Sequence, residues 1–220
     1  MIINTNFAKR IVLDTDTIEW QATGVDGVTI KPLAVQDGVL GHLTAMIRYQ
    51  DGSVYTRKEY SKGEELLVLA GTFCTNSGDY PTGTYYRNPS SNMQMPFFQR
   101  GCVVFAKLNQ IHSNDGQKVI KDVNTEEWID SENGVKLQFL CDFEQERTLL
   151  IKWSESYSHI GEINLKGRGA EFFILSGELV DEMGHYPAGT WLRTPGIPFH
   201  NARVTNETIA FVKYGHLPVD

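Results

Sequence analysis

The chain reads GDYPTGTYYRNP over residues 78–89 and GHYPAGTWLRTP over residues 184–195, an offset of 184 − 78 = 106. The same offset lays KGEELLVLAG (62–71) over RGAEFFILSG (168–177), and CVVFAKL (102–108) over TIAFVKY (208–214). Trp20 and Trp128 pair two residues off it, as one loop insertion would cause. A fixed-offset repeat of this kind marks a duplicated structural unit of about a hundred residues. The polar, turn-forming stretch HSNDGQK (112–118) marks the break. The expected organisation is repeat 1 over 1–112, a linker over 113–122 and repeat 2 over 123–220.

Each unit reads as β. Leu66 to Ala70 and Phe172 to Ser176 are short apolar runs rich in strand formers, as expected of buried strands. TNSGDYPTG, NPSSN, DEMGHYPAG and RTPGIP punctuate at short intervals and favour an antiparallel sandwich or barrel. No stretch sustains a helical period. Thr17 to Trp20 and Thr125 to Trp128 each carry a weak capping pattern, enough for one helical turn.

Composition bounds the function. With 220 residues, 41% hydrophobic and 21% charged, the chain can build a core without staples. A net charge of −7 gives no overall attraction to nucleic acid or an anionic membrane. The N-terminus lacks a secretory apolar run, and the apolar stretches are too short to cross a bilayer, so a cytoplasmic location is expected. Cys74, Cys102 and Cys141 are widely spaced and read as buried reduced thiols.

The paired phrases fit the two-part cupin pattern. Glu64 and Gly71 keep the six-residue gap of its first part, and Gly83–Pro89 and Gly189–Pro195 keep the five-residue gap of its second. GEELLVLAGTF, GDYPTGTYYRNP and GCVVFAKL resemble the cupins of ChrR-type anti-sigma factors, over nearly the whole chain. The resemblance implies an all-β fold of two tandem cupin barrels (double-stranded β-helix, or jelly-roll, barrels), a bicupin.

Cupins of this kind hold a divalent metal, often Zn, Fe or Mn, on an inward HxH pair, a Glu and a final His. Such a set satisfies the ion and leaves a position open for water or substrate. In unit one those slots carry Lys58, Glu59 and Tyr60, then Glu64, then Gln94. In unit two they carry Asn164, Leu165 and Lys166, then Ala170 with Glu171 beside it, then His200. Strand alternation adds Glu162 to the face of Asn164 and Lys166, and turns His159 away. Neither set is complete; Glu64 on one side, and Glu162 with His200 on the other, are the weak metal candidates. Lys58 and Lys166 repel a divalent ion by several kcal/mol at about 4 Å. Each is expected either in a salt bridge with an acid such as Glu64 or on a small carboxylate or phosphate.

The pocket candidates are thus Lys58, Tyr60, Glu64 and Gln94 in the first barrel, and Glu162, Asn164, Lys166, Glu171 and His200 in the second. Glu65 with Arg87, and Glu171 with Arg193, are expected as matching ion pairs near the barrel rim. Tyr55, Tyr85, Tyr86 and Trp191 read as wall aromatics, while Met93 and Met95 flank Gln94. His42, His112, His185 and His216 lack catalytic spacing and default to surface or satisfied core positions.

The resemblance implies a non-catalytic sensory or small-ligand-binding protein, working as a homodimer. A sigma-factor partner follows only by analogy, because the His-x3-His and Cys-x2-Cys ligands of the family's zinc-binding anti-sigma domain do not occur in these residues. The alternatives are a metal-dependent dioxygenase of the acetylacetone-cleaving type and a structural dimerisation module. The incomplete ligand sets argue against catalysis.

Overall fold

The computed structural model describes residues 2–36, 41–55, 62–89, 97–131, 134–155, 169–196 and 202–217. The described residues form two compact units, one of Met1–Thr5 with Glu19–Glu126 and one of Asn6–Ile18 with Glu127–Asp220. No described helix is long and apolar enough to cross a membrane.

Eighteen strands are described. Unit 2 takes β1 (Ile11–Asp14), and unit 1 takes β2 (Gln21–Ala22), β3 (Val28–Val35), β4 (Leu43–Tyr55), β5 (Glu64–Thr75), β6 (Gly78–Pro81), β7 (Thr84–Asn88), β8 (Phe97–Leu108) and β9 (Val119–Asp122). Unit 2 continues with β10 (Ile129–Asp130), β11 (Val135–Phe143), β12 (Glu146–Trp153), β13 (Ala170–Ser176), β14 (Glu178–Asp181), β15 (Gly184–Pro187), β16 (Thr190–Thr194), β17 (Arg203–Val204) and β18 (Thr208–Tyr214). The main sheet of unit 1 runs β2-β3-β4-β8-β5-β7-β9, with β6 on β5; that of unit 2 runs β1-β16-β13-β18-β12-β11-β10, with a small sheet β15-β14-β17. Every pairing is antiparallel. The quoted phrases become β6–β7 and β15–β16.

Alternation along each strand turns one face to an apolar interior. In unit 1, Ala45, Ile47, Tyr49, Leu66, Val68, Phe73, Tyr80, Tyr86, Val104 and Ala106 form it. In unit 2, Leu149, Ile151, Trp153, Ala170, Phe172, Ile174, Leu179, Tyr186, Leu192, Ala210 and Val212 form it. Gly71 (φ +74°) and Gly177 (φ +77°) turn the chain where a Cβ would lie 2.0 Å from the Gly101 carbonyl oxygen and 2.4 Å from that of Glu207. Only glycine fits there.

The leading strands lie where the linear repeat did not put them. β1 lies at the start of the stretch expected as repeat 1 but pairs with β16, through Ile11↔Arg193 to Asp14↔Thr190. β9 lies in the stretch expected as a linker, yet it pairs with β7 through Val119↔Arg87 to Thr84↔Asp122. Each edge closes on equivalent residues: Thr15 donates its amide to the Gly189 carbonyl and Val123 its amide to that of Gly83. Asp14 accepts from the Asp16 amide at 2.9 Å and Asp122 from the Asn124 amide at 3.0 Å. The helical turn expected at Thr17–Trp20 starts two residues earlier, as a 3-10 turn over Thr15–Thr17, because Asp14 caps it. Trp20 then lies under Arg48 (3.9 Å) and Lys31 (5.0 Å), and Trp128 under Lys152 (4.8 Å).

Each unit therefore contains the leading strand of the other copy. Residues 1–112 expressed alone lose β9, and residues 113–220 alone lose β1. Neither half is expected to unfold cooperatively in urea by circular dichroism, whereas the two co-expressed halves should co-purify and do so. A cooperative transition from 113–220 alone would count against the exchange.

Candidate functional site

The interior carboxylate position differs between the units. Glu64 is 1% exposed and shares the face of Leu66 and Val68, opposite Asn88 on β7 and Leu108 on β8. Beyond it the wall is filled by rings: Tyr49–Phe73 centroids lie 5.9 Å apart, Phe73–Tyr86 5.8 Å and Tyr80–Tyr86 4.9 Å. In unit 2 Ala170 occupies the equivalent place, opposite Thr194 and Tyr214. Glu171 falls on the opposite face of β13, away from Ala170, Phe172 and Ile174.

That opposite face carries a second arrangement, repeated in both units. Arg87 on β7, Glu65 on β5, Lys107 on β8 and Thr44 on β4 stand in one cross-strand row. Arg193, Glu171, Lys213 and Thr148 form the same row on β16, β13, β18 and β12. All eight residues are buried. An ion removed from water in this way is tolerated only when opposite charge and hydrogen bonds surround it.

The partners differ in detail. In unit 1 the Tyr85 hydroxyl donates to Glu65 Oε1 at 2.6 Å, and Lys107 Nζ donates to Thr44 Oγ1 at 3.2 Å. Arg87 Nη1 donates to the Gln117 carbonyl at 2.7 Å, and Nη2 pairs with the Asp115 carboxylate. In unit 2 Arg193 Nη1 lies 3.9 Å from Glu171 Oε1, and its guanidinium sits 4.7 Å from the Phe7 ring and 5.5 Å from that of Trp191. Lys213 Nζ is 3.5 Å from Glu146 Oε2. Burial lowers the Arg193 pKa from its ordinary value, and Glu171 acts in the opposite sense. The expected Glu171–Arg193 pair is present but buried within the sheet; in the first unit Glu65 and Arg87 are register partners, and Arg87 pairs with Asp115.

Of the sequence-derived pocket candidates, Glu64 and Glu171 are described, and they lie on different faces of their sheets. Lys58, Tyr60, Gln94, Glu162, Asn164, Lys166 and His200 lie outside the described residues, as do His159, Met93 and Met95. Lys107, Lys213 and Asp115 were missed, while His216, read as a surface or satisfied core histidine, lies 3.6 Å from Glu171 with 8% of its side chain exposed. The aligned phrases CVVFAKL and TIAFVKY already place the two lysines at one repeat position, and VLDTDTIEW (12–20) over IKDVNTEEW (120–128) carries the exchanged strands at an offset of 108.

A zinc, iron or manganese ion needs three or four nitrogen, oxygen or sulfur donors at one point. No three His, Cys, Asp or Glu side chains converge in that way among the described residues. Glu64 by itself does not make a metal centre, and Ala170 supplies no donor. The three cysteines are free and buried. Burial pushes the Cys102 thiol up to about 12, with Cys74 adding to the effect, and burial also raises Cys74.

The ChrR cupin-like domain model matches residues 8–112 and again 116–218. The chain belongs to the ChrR cupin-like family. It carries that domain twice, as a tandem of cupin barrels. No curated protein matches it in sequence. In fold it is similar to a candidate dioxygenase of Nostoc punctiforme at 11% identity and a TM-score of 0.75, over 94% of this chain and 82% of that one. It is similar to a candidate glyoxylate-induced protein of Pseudomonas aeruginosa at 8% identity and a TM-score of 0.74, over 100% and 92%. An oxalate decarboxylase of Bacillus subtilis matches at 9% identity and a TM-score of 0.61, over 96% and 78%. At such identities the likeness concerns the barrel frame of this bicupin alone.

Two measurements follow. Removing one member of a buried ionic row strands the others, so Glu65→Ala should lower unfolding free energy in urea by roughly 3–5 kcal/mol. Cys102 holds its proton more tightly folded, at about 12, than unfolded, at 9.0. Its contribution is therefore complete below pH 9.0 and lost as pH rises through about 12. Tyr186 and Tyr214, both raised by burial, act in the same direction. Stability should fall steadily in that alkaline window, and the native thiols should resist Ellman's reagent near neutral pH until the protein is unfolded.

Proposed function

We propose that this bicupin is a non-catalytic regulatory protein whose first barrel receives a small anionic ligand at the Glu64 end. The observation that supports this is the difference at one interior position: a carboxylate, Glu64, in the first barrel and a methyl group, Ala170, in the second. A family metal centre would need its donors gathered around that position. In the sequence the neighbouring slot carries Lys58, whose ammonium would supply fixed positive charge where the family carries a metal. A carboxylate or phosphate ligand would take such an ammonium as its counter-charge. The second barrel, without the interior acid, serves as the supporting half.

Calorimetric titration and thermal shift with small carboxylates and inorganic phosphate test this reading. Binding is expected for the native protein, a loss of at least about tenfold in affinity for Lys58→Ala, and little change for Lys166→Ala. Heat of binding that survives Lys58→Ala unchanged would remove the first barrel as the site. Elemental analysis of the same protein decides the metal-dependent alternative, since stoichiometric iron, manganese or zinc would favour a dioxygenase. A regulatory role through a sigma factor predicts capture of one by the purified chain at micromolar concentration.

A further inference from the structure

The segment leading into β1 is fastened to a hairpin of unit 2 partly through sulfur. β14 and β15 meet at a turn whose tip, Met183, is 70% exposed. Asp181 builds the turn: its Oδ1 accepts the Met183 amide at 2.8 Å and the Gly184 amide at 3.1 Å. Arg10, the residue before β1, reaches the same place. Its Nη2 lies 3.2 Å from Asp181 Oδ2 and donates to the Tyr186 hydroxyl at 2.8 Å, and its Nη1 donates to Met183 Sδ at 3.0 Å. The guanidinium carbon stands 5.4 Å from the centre of the Tyr186 ring.

The turn itself does not need that sulfur. Offset by 106, Thr75 and Ser77 of unit 1 stand where unit 2 has Asp181 and Met183, while Tyr80 matches Tyr186. Thr75 Oγ1 accepts the Ser77 amide at 3.0 Å, so a hydroxyl caps the equivalent turn. Offset by 108, Lys118 stands in place of Arg10. Of the two hairpins, only the second sets a thioether against a guanidinium. A thioether is a weak acceptor for a charged donor. It is also the group in this cluster that a mild oxidant converts into a strong one.

We propose that Met183 is a reversible oxidation site whose sulfoxide oxygen is taken by Arg10, fastening residues 6–18 to unit 2. Hydrogen peroxide supplies the oxygen. A sulfur lone pair attacks one peroxide oxygen, the O–O bond breaks and an S–O bond forms. The proton on the transferred oxygen passes to the departing one, which leaves as water. Sulfur gives up two electrons and the peroxide gains them. Arg10 covers one side of the sulfur, so the oxygen enters from the exposed side and one sulfoxide epimer forms. That oxygen carries partial negative charge and accepts from a guanidinium far better than a thioether does. Nη1 moves from sulfur to this oxygen while Nη2 stays on Asp181, and the hairpin gains hold on Arg10. β1 follows directly in the chain and ends its sheet, so it is the element in which one added hydrogen bond shows. A methionine sulfoxide reductase returns the thioether. The inference is independent of whether the first barrel takes a ligand.

Dilute hydrogen peroxide applied to the full chain, followed by peptide mass spectrometry, tests it. Met183 should oxidise well before Met46, which is half-buried on β4. The two classes of methionine sulfoxide reductase, each specific for one epimer, then read the geometry. One of them should restore nearly all of the Met183 sulfoxide in the native chain, and each should restore about half of it in Arg10→Gln. Hydrogen exchange over residues 6–18 should slow roughly fivefold on oxidation of the native chain, and change by less than about twofold in Arg10→Gln and in Met183→Leu. The epimer ratio in the native chain needs no variant, so it decides even where Arg10→Gln does not fold. An equal mixture of epimers in the native chain, a Met183 no more reactive than Met46, or exchange over 6–18 that is unchanged or faster after oxidation overturns the proposal.

Discussion

Burying a carboxylate in a β-sheet costs several kcal/mol unless cations reach it on the neighbouring strands. Glu65 and Glu171 stand in the same register, each opposite an arginine on one neighbouring strand and a lysine on the other. The rest of each unit is arranged around this row. Its strands must hold register, because a slip of one residue would carry all four polar side chains into the apolar interior. Its arginine stands beside the edge strand, and so fixes where the exchanged segment enters the sheet.

The exchange of leading strands follows from that edge. β7 and β16 would otherwise end their sheets with unpaired backbone groups, the usual hazard of an exposed strand. β9 and β1 cover them, and the aspartates at their ends accept amides from the turn that follows. The repeat is thus read twice along the chain, yet neither copy is complete without a segment from the other. The tryptophans that follow, Trp20 and Trp128, are pinned by cations on the central sheet at equivalent strands. Equal anchoring at equivalent places is what a duplicated unit with reciprocal strands requires.

Between the two barrels, the scaffold is shared and the polar detail is not. Glycines, prolines and the Arg–Glu–Lys rows match position for position, while at equivalent repeat positions Glu64 is replaced by Ala170, Tyr85 by Trp191, Gln110 by His216 and Asp115 by Phe7. Each substitution changes what the buried charges can do without disturbing strand pairing. Differences of that kind accumulate where geometry is fixed by a frame and chemistry is left to individual side chains.

The sequence by itself determined the duplication, the all-β class, the turn chemistry of the paired phrases and the family. These rest on local rules: glycine and proline at turns, alternation in strands, and an offset that needs no coordinates. It also carried the pairing of Glu171 with Arg193 and the buried state of the three cysteines. Tertiary structure alone decided which strand closes which sheet, because an edge strand is chosen by backbone pairing that has no signature in spacing. It decided too that Glu64 and Glu171, nearly equivalent in the aligned phrases, point to opposite faces, since a shift of one residue along a strand reverses a side chain. The row of Glu, Arg, Lys and Thr spans four strands that lie far apart in the chain, and such an assembly exists only once the sheet has brought them into line.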